Sequence, residues 1–380
     1  MRGRRIVAVL GAALVVALPM VAGGSASGSP GPIMIGATYE KTGPVPSLGA
    51  EGPGALAAAK YINAHGGILG RQVKIVLEDN AGDPAQAISQ LRQFASQGIN
   101  VVLGGAFGVD CDAEAPIAAT LKQVVFCGST DNLPAGDSNM FGIGPGYTPT
   151  IKATVALIKR FAKSKAAVFA DLSADGGDSI RAGSADMRAL GLTPVAERYP
   201  VNATTFTSEI QDAISKGAQA LWFTACSPGA ITSVAEAEQL GFKGKLVLEN
   251  CLASIGVAQA LKGLAGNKQV LVQSPYSLLS TPAPNSRERA AIALYKSQIP
   301  GPVDTVETAG WDSMMVAAAA ITKAHSTSTS ALLSTLTNRF SYTGVWHSGT
   351  FTKTDHRGAI TAGYVVPTYF TKAGKIALLK

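Results

Sequence analysis

The stretch from Ile99 to Asp131 reads INVVLGGAFGVDCDAEAPIAATLKQVVFCGSTD, and its alternation of segments decides the fold. Val101-Val102-Leu103 is a short uninterrupted apolar run, as expected of a strand buried on both faces. It empties into the glycine-rich loop that begins at Gly104. A helical segment is expected from Ala113 to Lys122. A second apolar run, Val124-Val125-Phe126, then empties into another loop of small residues. Strand, loop, helix, strand and loop predict two parallel strands with their C-terminal ends side by side. In open parallel sheets, ligands sit beyond those ends. Cys111 and Cys127 lie in or beside the two loops.

The same rhythm extends in both directions. Upstream, Ile33 to Thr38 reads as a strand and Tyr39 to Gly49 as a loop broken by Gly43-Pro44 and Pro46. Ala55 to Asn63 reads as a helix, stopped by the glycines of Asn63 to Arg71, and Gln72 to Glu78 as a strand. Asp83-Pro84 is an N-cap followed by proline at the first helical position, opening a helix from Ala85 to Ser96. Downstream, Gly142 to Thr148 (GIGPGYT) reads as a crossover, after which the pattern restarts. Helices are expected at Thr150 to Lys163, Gly176 to Leu190, Phe206 to Ser215 and Pro228 to Leu240. Strands are expected at Ala166 to Ala170, Val195 to Tyr199, Ala218 to Thr224 and Lys245 to Leu248. Two successive doubly wound α/β units follow from this order. After Val270 to Gln273 come Ser274-Pro275-Tyr276, then helices near Arg287 to Ser297, Thr308 to Ala324 and Ser330 to Thr337. Thr350 to Phe370 is strand-like, with a turn at Asp355 to Gly358.

With 380 residues, 47% hydrophobic and 15% charged, the chain is long enough for two cores and too apolar to be disordered. Residues 1–26 read as a signal peptide: Arg2, Arg4 and Arg5, then an uncharged apolar run from Ile6 to Ala22 broken by Pro19, then small residues around Ala26. An uncleaved anchor helix is the alternative reading. The net charge is +7; without the three leader arginines, 29 basic residues face 25 acidic ones. That balance, with no basic stripe, excludes nucleic acid as a partner. Cys111, Cys127, Cys226 and Cys251 form an even set in an exported chain, which points to disulfides. There is no C-x-x-C pair, and His65, His325, His347 and His356 are scattered, so no metal site or cofactor is expected. Neither a G-x-S-x-G elbow, a G-x-x-x-x-G-K-[ST] loop nor a dinucleotide fingerprint is present.

Four motifs in order give the chain a family resemblance. They are Thr42-Gly43-Pro44, Asn63-Ala64-His65-Gly66-Gly67-Ile68-Leu69-Gly70, Glu78-Asp79-Asn80 with Asp83-Pro84, and Gly310-Trp311-Asp312-Ser313. With them the chain resembles the type I periplasmic solute-binding proteins of the branched-chain amino acid class. The resemblance implies two doubly wound, Rossmann-like α/β lobes joined by three crossovers and closing on a small molecule. Lobe one would comprise residues 33–144 plus 276–361, and lobe two residues 145–275 plus 362–380. It also implies an extracytoplasmic, monomeric, non-catalytic receptor whose partner is an ABC permease in the membrane.

Carried over by position, the ligand-binding residues would be Leu48, Phe107, Gly108, Val109, Ser129 and Asp131 in lobe one. In lobe two they would be Asp175, Cys226 and Asn250, with Tyr147 and Tyr276 near the crossovers. Several depart from the family pattern. Gly108-Val109 replaces a serine run, Asp131 stands where threonine is usual, and Asn250 where an acid meets an α-ammonium. An anionic Asp131 would repel a carboxylate, so the ligand is expected to be a neutral or cationic small molecule anchored by Asp131 and Asp175. Asp131 read as a helix cap is the competing account. The lobes imply Cys111–Cys127 and Cys226–Cys251 pairing, because cross-lobe bridges would lock the cleft. Two other functions stay open on sequence: a ligand-sensing receptor domain of the same fold, and a secreted amidase or hydrolase using the weak turn Cys226-Ser227-Pro228-Gly229.

Overall fold

The computed structural model describes residues 31–43, 46–128, 139–144, 147–172, 174–200, 203–224, 226, 229–264, 269–358 and 365–380. The segment read as a signal peptide, residues 1–26, lies outside them. Among the described residues, no helix is long and apolar enough to cross a membrane.

The first sheet contains β1 (Ile33–Tyr39), β2 (Val73–Asp79), β3 (Val101–Gly104), β4 (Val124–Cys127) and β5 (Met140–Gly142). All pairings are parallel, in the order β2-β1-β3-β4-β5. The crossovers are α1 (Glu51–Ala64), α2 (Pro84–Ser96) and α3 (Gly108–Thr120). Val101 to Gly104 pairs residue by residue with Val124 to Cys127, and both strands are buried throughout. The two strand ends therefore lie side by side, as the apolar runs require. Each recognition motif has a local cause. Asn63 accepts from the Val73 amide at 2.7 Å and donates to the Val73 carbonyl at 2.9 Å, fastening the end of α1 to the start of β2. Gly66, Gly67 and Gly70 between them all have positive φ, which glycine adopts without strain. Asp79 accepts from the Lys41, Thr42 and Ala81 amides, so the acidic strand end holds the Thr42-Gly43 loop. Asp83 caps α2 through the Ala85 amide.

The second sheet takes in β6 (Lys165–Asp171), β7 (Thr193–Tyr199), β8 (Ala220–Phe223), β9 (Lys245–Leu248) and β10 (Val270–Pro275). Its helices are α4 (Tyr147–Lys159), α5 (Ala174–Ala189), α6 (Thr207–Ser215), α7 (Gly229–Gln239) and α8 (Ile255–Ala260). The chain then returns to the first sheet through α9 (Ser286–Gln298), α10 (Thr305–Ala324) and α11 (Thr329–Thr337), followed by an antiparallel hairpin, β11 (Phe340–Thr343) and β12 (Ser348–Phe351). Finally β13 (Val365–Phe370) joins β10 antiparallel and β14 (Ile376–Leu378) extends the edge, giving the order β14-β13-β10-β9-β8-β6-β7. The chain thus passes between the sheets after β5, after β10 and before β13. Each sheet carries its own apolar core, and Tyr276 and Val303 pack against both.

Three elements differ from the sequence reading. Helix α3 starts at Gly108, five residues before Ala113, so Gly108, Val109 and Cys111 belong to its first turns rather than to a loop. A start at Ala113 places Pro116 in the first turn, where proline is tolerated; here Pro116 sits inside the helix. Strand β5 is only three residues long, below the length at which an apolar run is distinctive. The β11–β12 hairpin forms its own two-stranded sheet, almost wholly ahead of the segment from Thr350 to Phe370 read as strand-like.

Candidate functional site

The site is built from the loop after β3. Gly104 and Gly105 lead to Phe107, which takes an extended conformation and serves as the N-cap of α3 without a side-chain cap of its own. Its amide donates instead to Oε1 of Glu40 at 3.2 Å. Glu40 directly follows β1, and β1 is the neighbour of β3, so the sheet order brings this carboxyl under the loop. The fit requires glycine: a Cβ on Gly105 would lie 2.0 Å from Glu40 Oε1. The loop after β4 repeats the arrangement. A Cβ on Gly128 would lie 2.2 Å from Oε1 of Glu51, the first residue of α1.

Asp110 and Glu114, one turn apart on α3, complete a set of four carboxyls with 0–1% exposure. No ion pair reaches them among the described residues. Removal from water without a cation favours the protonated form. Burial accordingly pushes Glu40 up to about 7, with the Phe107 amide and the Asn80 side chain easing the shift. Asp110 is pushed up to about 8 by burial and then by the charge of Glu40. Burial carries Glu51 and Glu114 well above the usual carboxylate range, with neighbouring carboxyls adding to it. Glu40, with its amide donors, is the member best placed to carry negative charge near neutrality. Among the described residues, no group of histidines, cysteines and acids is arranged to hold a metal ion.

Sequence reasoning missed these carboxyls, because acidic residues are expected at the surface. The available signal was the i, i+4 spacing of Asp110 and Glu114 within a run of small residues.

In the second sheet, Cys226 follows β8 and is bonded to Cys251, in the 3-10 turn Asn250–Leu252 after β9. Asn250 is half-buried. Its amide donates to Glu249 at 3.1 Å, and the Trp222 indole N–H donates to the same carboxyl at 3.2 Å. Burial pushes Glu249 up to about 7. The acid beside Asn250 is therefore engaged inside the lobe and does not replace the family's cleft-facing acid.

The two halves meet in an apolar patch. Leu48 and Val306 are buried there, with Ala50, Ala106, Phe107 and Cys226 packed around them. Of the sequence-derived candidates, Leu48, Phe107 and Cys226 are thus brought together. Val306, in the first turn of α10 after the Asp304 cap, was not anticipated. Gly108 and Val109 lie in the first turn of α3, and Tyr276 at the junction of the two cores. Tyr147 and Asp175 fall in the first turns of α4 and α5; their side chains, with all of Ser129 and Asp131, lie outside the described residues. Helices α3 and α5 touch across the two halves. Thr305 Oγ1 donates to the Ala253 carbonyl, tying α10 to the turn that follows β9.

Both disulfides fix these strand-end loops, Cys111–Cys127 beside β3 and β4 and Cys226–Cys251 beside β8 and β9. They close loops of 16 and 25 positions. Chain entropy then gives each about 3 kcal/mol. Replacing either pair by alanines is expected to lower the guanidinium unfolding midpoint accordingly; an unchanged midpoint would show that the bridge adds no stability.

Comparison with known proteins agrees with this architecture. The sequence pattern of the periplasmic binding protein family matches residues 32–372. A Leu/Ile/Val-binding protein, BraC3, of Rhizobium johnstonii is 30% identical over 171 residues, which is 43% of this chain and 46% of that protein. The matched region thus spans about half the length of that relative. A leucine binding protein of Thermotoga maritima superposes with a TM-score of 0.80 at 16% identity, covering 92% of this chain and 98% of the other. A fatty acid ABC transporter substrate-binding protein of Thermomonospora curvata superposes with a TM-score of 0.77 at 16% identity, covering 93% and 92%. Two sheets wound in this order, with their strand ends facing across a shared apolar patch, carry the family's sequence pattern along nearly their whole length: the chain belongs to the periplasmic binding protein family.

Proposed function

We propose that the protein is the extracytoplasmic substrate-binding component of an ABC uptake transporter, closing its lobes on a small molecule without chemical change. The observation that carries this reading is the apolar patch of Leu48 and Val306, against which Ala106 and Phe107 from one sheet and Cys226 from the other all pack. Members of the family bind substrates rather than transform them. In this reading residues 33–144 plus 276–361 form one jaw and 145–275 plus 362–380 the other. Gly108, Val109, Ser129, Asp131, Tyr147, Asp175, Asn250 and Tyr276 line the cleft between them, and hinge closure buries the ligand. A leucine binding protein and a fatty acid transporter's binding protein share this fold, so the fold leaves the ligand open.

A thermal-shift screen over amino acids, amides, polyamines and aromatic acids tests the reading. A true ligand at a hundred times its Kd adds about 2.7 kcal/mol of stability by mass action. The expected result is a saturable rise in Tm with the ligand recovered unchanged. Conversion of the hit into product would overturn it.

A further inference from the structure

We propose that Glu40 occupies, from inside the protein, the anion seat at the start of α3, so that the lobe-one side of the cleft takes an uncharged apolar group and rejects a carboxylate. This rests on the receptor reading above and adds the class of ligand.

The start of a helix following a parallel strand is a natural place for an anionic group, because free amides and the helix dipole point there. In this protein the N-cap amide of that position is already engaged. The Phe107 amide, at the N-cap of α3, donates to Glu40 Oε1. A capping box normally fills this role with an acid at the third helical position, reaching back to the N-cap amide. Asp110 stands at that position, yet the acceptor is Glu40, delivered from the end of β1. Gly105 leaves the space that the carboxyl fills.

The surroundings act in the same direction. Asp110, Glu114 and Glu51 stand behind the same two loops, and their charges and that of Glu40 are felt by one another. A second anion arriving at the loop would find its donor engaged and a shared negative charge behind it. At about 5 Å and a protein-like dielectric, that repulsion disfavours binding roughly 100-fold once Glu40, pushed up to about 7 by burial, is fully ionised. What the loop presents to the other lobe is apolar: Ala106 and Phe107, with Leu48, Val306 and Cys226. An aliphatic or aromatic group matches that surface.

Isocaproamide and isocaproate test the idea, since they share one apolar body and differ in head-group charge. Calorimetric titration of the wild-type protein at pH 9, well above the value of about 7 to which burial pushes Glu40, is expected to favour the amide roughly 100-fold. Glu40→Gln keeps an acceptor for the Phe107 amide and removes the charge, and is expected to narrow that preference at least tenfold. Tighter binding of isocaproate or leucine by the wild type would overturn the inference while leaving the receptor reading intact. A ligand-independent arm uses Glu40→Ala, which empties the seat. Its melting temperature is expected to fall and to be restored by formate, but not by chloride at equal ionic strength. Absence of formate rescue, where the variant folds, overturns the inference whatever ligand the screen finds. If Glu40→Ala does not fold, the charge preference of Glu40→Gln decides.

Discussion

Asp312→Ala is expected to cost on the order of 3–5 kcal/mol of stability. Asp312 lies on α10 and is 2% exposed. Its carboxylate accepts from the Val345 amide at 2.8 Å, the Trp346 amide at 2.8 Å and the His347 amide at 3.3 Å. Those three residues form the turn between β11 and β12, so one side chain fastens the hairpin to the longest helix. Gly344 is pressed against the same carboxylate, where a Cβ would fall 2.2 Å from Oδ2. Truncation leaves three buried amides without an acceptor, each costing about 1–3 kcal/mol. Asp312→Asn retains one oxygen but turns an NH2 group toward donors, so an intermediate loss is expected. The guanidinium midpoint measures both. A loss below about 1 kcal/mol for alanine would mean that the turn is held by its packing, through Val345 and Trp346, rather than by the carboxylate.

The same residue shows what could be read from sequence and what could not. The aromatic-Asp pair Trp311-Asp312 is recognisable in sequence as a family motif of a helix start, yet it lies inside α10, which begins at Thr305. Its role emerges only once a turn more than thirty positions away is folded against it. The parallel strands were legible because burial on both faces writes itself as an uninterrupted apolar run, as in Val101 to Leu103. The turn from Asn63 to Gly70 was legible because positive φ demands glycine at fixed positions. The start of α3 was not, since Gly108 and Pro116 argue locally against a helix that an acceptor from β1 and a disulfide hold from outside. The site divides in the same way. Leu48, Phe107 and Cys226 lie on strand-end loops whose meeting follows from topology. Glu40, Glu51 and Glu249 act through burial, and the sequence around these three contains no sign of it. Neighbouring strands β1 and β3 are more than sixty positions apart in the chain, so the Glu40–Phe107 contact has no local signature.

Thermal stability is expected to fall as pH rises from about 6.5 to 8, the reverse of a protein held together by ionised carboxylates. Asp110 is pushed up to about 8, first by burial and then by the Glu40 charge, with Asp83 adding to it. Glu40, Glu249 and Asp312 are pushed up to about 7, in each case chiefly by burial. In the unfolded chain these groups titrate near 4. Between the two values the folded state binds more protons than the unfolded state, so unfolding releases protons and a rise in pH favours it. The stabilisation is complete below the unfolded value and is lost as pH climbs through the folded one. His347 works in the opposite direction: burial lowers it to about 4, so it destabilises the fold as pH falls below about 6.5. It is therefore silent in the window from 6.5 to 8. Burial raises Glu51 and Glu114 as well, so they act in the same direction. Asp110, pushed up to about 8, carries its share of the fall to the upper end of this window. One fully linked proton changes stability by about 1.4 kcal/mol per pH unit, so Asp110→Asn is expected to flatten the profile by about 1–2 kcal/mol across this window. Melting curves of the two proteins at matched ionic strength read the difference. Parallel profiles would show that Asp110 does not carry the proton, and the charge beneath the Phe107 loop would then have to be assigned to more than one carboxylate at neutral pH.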